Sequence, residues 1–217
     1  MVATEVAYSP GEAAFSKRHA MISVSRIAVA PDAANLYKQA RELLVRQEVE
    51  GAARLLRRAV ERAPDFADAW NSLGVLAFQH GDAPEAERCY RQAVRADSEA
   101  FDAILNLGAL LLRTGRAAEA LEYNRRAVED HSRDAAANAQ LGMNYFQLGR
   151  FDEAEPFLGE AKRLDPANQT QPQLFLAEIY RQRGEAAAVV RELRELAALR
   201  PDSAGTLLAK IDSLGAR

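Results

Sequence analysis

The side chains in this chain that could do proton transfer, nucleophilic attack or metal binding are few: His19, His80, His131 and Cys89. A cysteine attacks as its thiolate, which needs a nearby cation or base to form at neutral pH. A zinc site needs about four Cys, His or carboxylate ligands, usually at short intervals. Cys89 has neither a histidine nor a second cysteine at such spacing. It reads as a semi-buried inert thiol, with a redox-sensitive thiol as the alternative. Asp130-His131-Ser132 has the letters of a catalytic triad, but triad chemistry comes from convergence in space, not adjacency in sequence. His80 precedes Gly81, where a hydrogen-bonding side chain suits a helix C-terminus. No glycine-rich phosphate loop stands between a strand and a helix. These residues assign no catalytic, cofactor-binding or metal-ligating role, and the expectation is a protein that is not an enzyme and holds no cofactor.

The whole composition points the same way. The chain has 217 residues, 28 basic and 31 acidic, for a net charge of −3. Without a basic excess there is no electrostatic case for a nucleic-acid partner or an anionic membrane surface. One cysteine cannot form an internal disulfide, and no apolar run approaches the roughly 18 residues of a membrane span. Ala28-Val29-Ala30 has small residues as at a signal-peptidase site, but Ser23, Ser25 and Arg26 interrupt any apolar stretch before it. A cytoplasmic location is the expectation.

The elements that must position any functional surface are visible as a repeat. Gly74, Gly108 and Gly142 recur at a step of 34 residues, as do Leu73, Leu107 and Leu141. Gly81, Gly115 and Gly149 keep the same step, and so do Ala86, Ala120 and Ala154, and Ala93, Ala127 and Ala161. Repetition at this period marks a stacked helical array. A mid-helix glycine such as Gly74 costs roughly 1 kcal/mol against alanine. Tertiary packing can offset that cost if two helices cross closely there. The spacing predicts Gly74 and Ala86 at that crossing. Gly81 is expected to end the first helix in the left-handed conformation. Asp82 and Glu85 are expected to open the second as a capping box, with Pro84 in its first turn.

Trp70, Leu73, Gly74, Ala86, Tyr90 and Ala93 in one repeat, and Leu141, Gly142, Tyr145, Ala154, Ala161 and Pro166 in another, resemble the tetratricopeptide repeat (TPR) family. The resemblance implies an all-α, right-handed solenoid of helix-turn-helix units. The register gives repeats at 33–66, 67–100, 101–134, 135–168 and 170–203, then an amphipathic capping helix at 204–215 carrying Leu207, Leu208, Ile211 and Leu214. Solenoids need such a cap on the last open face. Residues 1–32 fall outside the register and read as a largely irregular tail, disordered to about residue 20, in which Ile22, Val24, Ile27 and Val29 could form a short extended piece.

The resemblance also implies which residues face the inner surface, formed by the first helix of each repeat. In this chain they are Tyr37, Arg41, Asn71, Val75, Phe78, Leu105, Ala109, Leu112, Arg113, Ala139, Met143, Phe146 and Gln147, and Asp68, Asp102 and Leu174 point inward with them. They predict an apolar middle with polar ends, suited to a protein partner that offers a peptide or helix. For Phe78, Leu112 and Phe146, burial between adjacent repeats is the competing reading. The carboxylate-clamp subtype of the family is excluded, because Asn106 alone fits its pattern while Asn71, Val75, Ala136 and Gln140 do not. The alternatives to a binding module are a self-associating homo-oligomeric scaffold and an accessory part of a larger enzyme. Asn124 is the odd residue, in the column of Leu56, Tyr90, Leu158 and Leu193. The expectation is that Tyr123 takes over its packing, the alternative being a polar contact of its own.

Overall fold

The computed structural model describes residues 30–167, 171–199 and 206. Among these residues there are ten α-helices and no strand. In chain order they are α1 (Pro31–Val45), α2 (Val49–Arg62), α3 (Ala67–Gln79), α4 (Ala83–Ala96) and α5 (Phe101–Arg113). They continue as α6 (Ala117–Asp130), α7 (Ala135–Gln147), α8 (Phe151–Leu164), α9 (Gln171–Gln182) and α10 (Ala186–Leu199). Helices pack as consecutive hairpins, α1 on α2 through α9 on α10, and each hairpin packs on the next. The first helices also touch in succession from α3 to α9. This is a TPR-type solenoid. The tail to residue 29 and the capping segment at 204–215 lie outside the described residues, Thr206 excepted. α1 opens with Pro31 in its first turn, two residues ahead of the register start, where a missing N–H costs nothing.

Alanine at the buried second-helix positions lets the rods approach: Ala52, Ala86, Ala120 and Ala154 are all fully buried. The mid-helix glycines act differently from the expectation. A Cβ on Gly74 would lie 2.5 Å from the ring of Tyr90, and one on Gly142 would lie 2.6 Å from Cγ of Leu158. The residue filling the space above each glycine is therefore the large side chain one turn beyond the alanine. Gly74, Gly108 and Gly142 are sockets for Tyr90, Asn124 and Leu158, each of them almost fully buried.

The turns repeat as faithfully as the sockets. Gly81 has φ +79°, its N–H reaches Phe78 O at 3.0 Å, and the Asp82 N–H reaches Ala77 O at 2.9 Å. Gly115, Gly149 and Gly184 share this geometry with φ between +72° and +75°. This double bond is the Schellman stop, and glycine takes the left-handed φ without a Cβ clash. The first repeat makes the same turn with Gln47 at φ 63°. The Asp82 carboxylate caps α4 by accepting from the Glu85 N–H at 3.1 Å. The Glu85 side chain, however, accepts from Arg88 at 2.7 Å, so its carboxylate is engaged along the helix. Second helices are laced across repeats by Arg116–Glu87 at 2.7 Å and by Arg91–Glu119.

Candidate functional site

The surface of the first helices is built by the register. Side chains of α3, α5, α7 and α9 meet across the junctions between neighbouring first helices, at adjacent rather than identical repeat positions in the α3–α5 pair. Asn106 Nδ2 donates to Asn71 Oδ1 at 2.9 Å, joining α5 to α3. The Arg113 guanidinium lies over the Phe78 ring, 4.5 Å from its centroid, across the same junction. Phe146 of α7 meets Phe175 of α9 edge to face at 4.9 Å, and also meets Phe151 of α8 at 5.3 Å. The candidate side chains are thus neighbours on one surface.

That surface is less apolar than the sequence implies. Leu105, Leu112, Ala139 and Met143 are buried, and Val75, Phe78, Ala109 and Phe146 are half-buried. For Leu112, and in part for Phe78 and Phe146, the packing reading describes the side chain better than an open apolar strip. What the surface presents to solvent is mostly polar, Gln79, Asp102, Arg113, Gln147 and Arg181, with the edge of Leu174, which is 37% exposed. Phe175 and Asn106 stand at the sixth position of their repeats, next to the positions singled out from sequence. Their common place in the register is the signal that could have found Phe175.

The N-terminal end of this surface is polar and acidic. Tyr37 stands edge to face on Phe66 at 4.9 Å, and burial raises its phenol pKa, opposed by a hydrogen bond with Ser72. Asp68 is half-buried. Burial first, and then the charges of Asp102 and Asp97, push its carboxyl up to about 6, against the opposing pull of Arg41. The surface thus runs from half-buried apolar side chains beside Arg113 to carboxyl and amide groups toward its N-terminal end. They offer no arrangement for bond chemistry.

Cys89, His131 and Asn124 lie away from this surface, each in contacts of its own. Burial, followed by the charge of Glu85, pushes the Cys89 thiol up to about 12, so its thiolate is suppressed at neutral pH. His131 stacks on Phe101 with ring centres 4.0 Å apart. Asn124 is fully buried: its Nδ2 donates to Asn144 Oδ1 at 3.0 Å, and Asn144 Nδ2 donates to Ala117 O at 2.7 Å. Tyr123 packs half-buried beside it, with its hydroxyl 3.2 Å from Arg91. The expectation that Tyr123 replaces Asn124 is therefore corrected: the column position stays with Asn124, whose Nδ2 makes its own polar bridge to the next repeat while its Oδ1, lying against Gly108, has no hydrogen-bond partner among the described residues. No cluster of His, Cys, Asp and Glu among the described residues could hold a metal ion, and no described helix is long and apolar enough to cross a membrane.

Paired helices, glycine stops and a continuous first-helix surface define a tetratricopeptide-type interaction scaffold. The family model of the cilia and flagella-associated protein 70 middle TPR-like domain matches residues 36–200, and the chain belongs to that family. Among solved structures, YrrB, described as a TPR protein with an unusual peptide-binding site, superposes with TM-score 0.70 at 26% identity, covering 82% of this chain and 92% of that one. MamA from Desulfovibrio magneticus RS-1, from residue 41 to its end, gives TM-score 0.71 at 19% identity, covering 81% and 98%. PilW, a type IV pilus biogenesis factor, gives 0.68 at 20%, covering 79% of each chain. The last two share the fold alone. No curated protein matches the chain.

Proposed function

We propose that this protein is a non-enzymatic interaction module that holds a peptide or helix of a partner protein against the surface of its first helices. The observation that carries the reading is the continuity of that surface: α3, α5, α7 and α9 touch in succession, and side chains bridge the α3–α5 and α7–α9 junctions. A continuous face made of repeats suits an extended or helical ligand, because each turn of the ligand meets an equivalent place on the next repeat. The peptide-binding site named for YrrB, at 26% identity, supports the same reading. Arg113, Gln147 and Leu174 are the contacts the ligand meets first.

The test is capture from the source lysate with the native chain and with an Arg113→Glu/Gln147→Glu/Leu174→Asp variant. All three residues are exposed, so the variant should keep its helical spectrum and melting point. The native chain is expected to capture proteins that the variant loses. Identical capture by both would refute the groove reading.

A further inference from the structure

A cleft of about 460 Å³ lies between α2 and the α3–α4 hairpin. Its floor is apolar, made by Ala53, Val60, Trp70, Leu73 and Leu76. Its rim carries Glu50, Glu61, Asp82 and Glu85 against Arg57 and Arg88. Arg88 is already engaged: it pairs with Glu85 at 2.7 Å and lies over the Trp70 ring at 5.2 Å. With that pair set aside, the rim holds Glu50, Glu61 and Asp82 against Arg57, and is net acidic around an uncharged floor. At the next junction the second helices are instead laced directly by Arg116–Glu87 and Arg91–Glu119.

The chain enters α1 close to this cleft. Asp32 pairs with Arg62 at 3.3 Å, and Arg62 follows Val60 and Glu61 of the cleft on α2. Ala30 packs on the same core cluster as Ala53, Val60, Leu73 and Leu76. Along α2 the cleft runs from Glu61 back to Glu50, roughly 16 Å at 1.5 Å per residue. An extended chain covers about 3.3 Å per residue, so the residues just before Ala30 can span it with length to spare. Residues 13–29, AAFSKRHAMISVSRIAV, carry Lys17, Arg18 and Arg26 and no acidic residue. They also carry Ile22, Val24, Ile27 and Val29. Apolar side chains between basic ones match an apolar floor inside an acidic rim.

We infer that residues 17–29 of this same chain dock in the cleft between α2 and α3–α4. Ile22 and Ile27 cover its floor, and the basic residues face its acidic rim. Docking occupies a face distinct from the groove proposed above, so it stands independently of that proposal.

Trp70 is the only tryptophan in the chain, and it lines the cleft. Its fluorescence reads occupancy directly. In the full-length chain, Ile22→Asp/Ile27→Asp should red-shift the Trp70 emission and raise its acrylamide quenching constant about twofold, since the indole loses its apolar cover. The helical spectrum should not change. Raising the salt concentration should move the native protein toward the variant, because the basic segment is then screened from the rim. Equal quenching of native and variant protein overturns the inference. So does a native–variant difference that disappears on dilution with the loss of a dimer in light scattering, because the occupant would then be a second copy.

Discussion

Gly142 and Gly159 lie on the two helices of one hairpin, and the same substitution should stabilise at Gly159 but not at Gly142. Gly159 sits within α8, and a Cβ there would meet nothing within 4 Å. Gly159→Ala should therefore show the helix-propensity gain alone, about 1 kcal/mol. At Gly142 the added Cβ would lie 2.6 and 2.8 Å from Cγ and Cδ2 of Leu158 and 3.0 Å from its backbone nitrogen. A rotamer change could relieve the first two contacts. The third requires α8 to move, and overpacking of this kind costs about 1–3 kcal/mol. After the same propensity gain, Gly142→Ala should be neutral to destabilised by about 2 kcal/mol, leaving the two variants about 1–3 kcal/mol apart. Urea titrations followed by far-ultraviolet circular dichroism measure this, with the slopes compared first, because repeat arrays can lose two-state behaviour. Thermal midpoints should separate in the same sense, by about 2–4 °C per kcal/mol for a chain of this size. If Gly142→Ala stabilises as much as Gly159→Ala, the socket account of the repeating glycines is wrong.

Three further outcomes follow from the geometry. Asn144→Leu removes both the acceptor of Asn124 and the donor to Ala117 O, so urea titration should show a loss of about 2–4 kcal/mol, with a loss under about 1 kcal/mol counting against the bridge. Gln47→Gly should stabilise by about 1 kcal/mol in the same assay, because Gln47 holds a left-handed φ that glycine adopts freely. The Asp68 carboxyl ionises near 3.8 when unfolded and near 6 when folded. Between those values the folded chain keeps a proton that the unfolded chain has lost, so this group makes stability fall as pH rises from about 4 to about 6 and level off above. Melting points of native and Asp68→Asn protein across that window should diverge as pH rises, the variant becoming the more stable; parallel curves would remove Asp68 as the cause.

Most of the fold was legible because a TPR writes its geometry in residue types that repeat. The left-handed stops at Gly81, Gly115 and Gly149 need glycine for a local reason, so they show in the sequence. The sockets were legible as positions but not as contacts. Period alone marks Gly74 and Ala86 as small, and only coordinates show that Tyr90 fills the space between helices. Gln47 was hidden for the opposite reason: the first repeat makes its turn with a residue that carries no turn signal. The candidate surface was legible as a set of neighbours, through Asn71, Phe78, Arg113 and Phe146, but not in its exposure. Burial between repeats was legible for Leu112, but Leu105 and Met143 sink there as well because their burial depends on the angle at which one hairpin stacks on the next, and no single helix encodes that angle. The bridge from Asn124 needed a partner in another repeat, Asn144, whose own column gives no hint of the pairing.

That bridge has a consequence for how the array can be rearranged. Elsewhere the junctions rest on shape, on exposed ion pairs and on the part-buried Asn71–Asn106 contact, none of which leaves a fully buried amide to be answered. The hairpin carrying Asn124 offers an amide that only a successor with an amide at position 144 can answer. Moved beside the second or the fifth hairpin, where Leu76 or Ile179 holds that place, it would bring a dehydrated amide with no mate. The third and fourth modules are therefore keyed to each other, and duplication or recombination of the array would have to carry them as one unit.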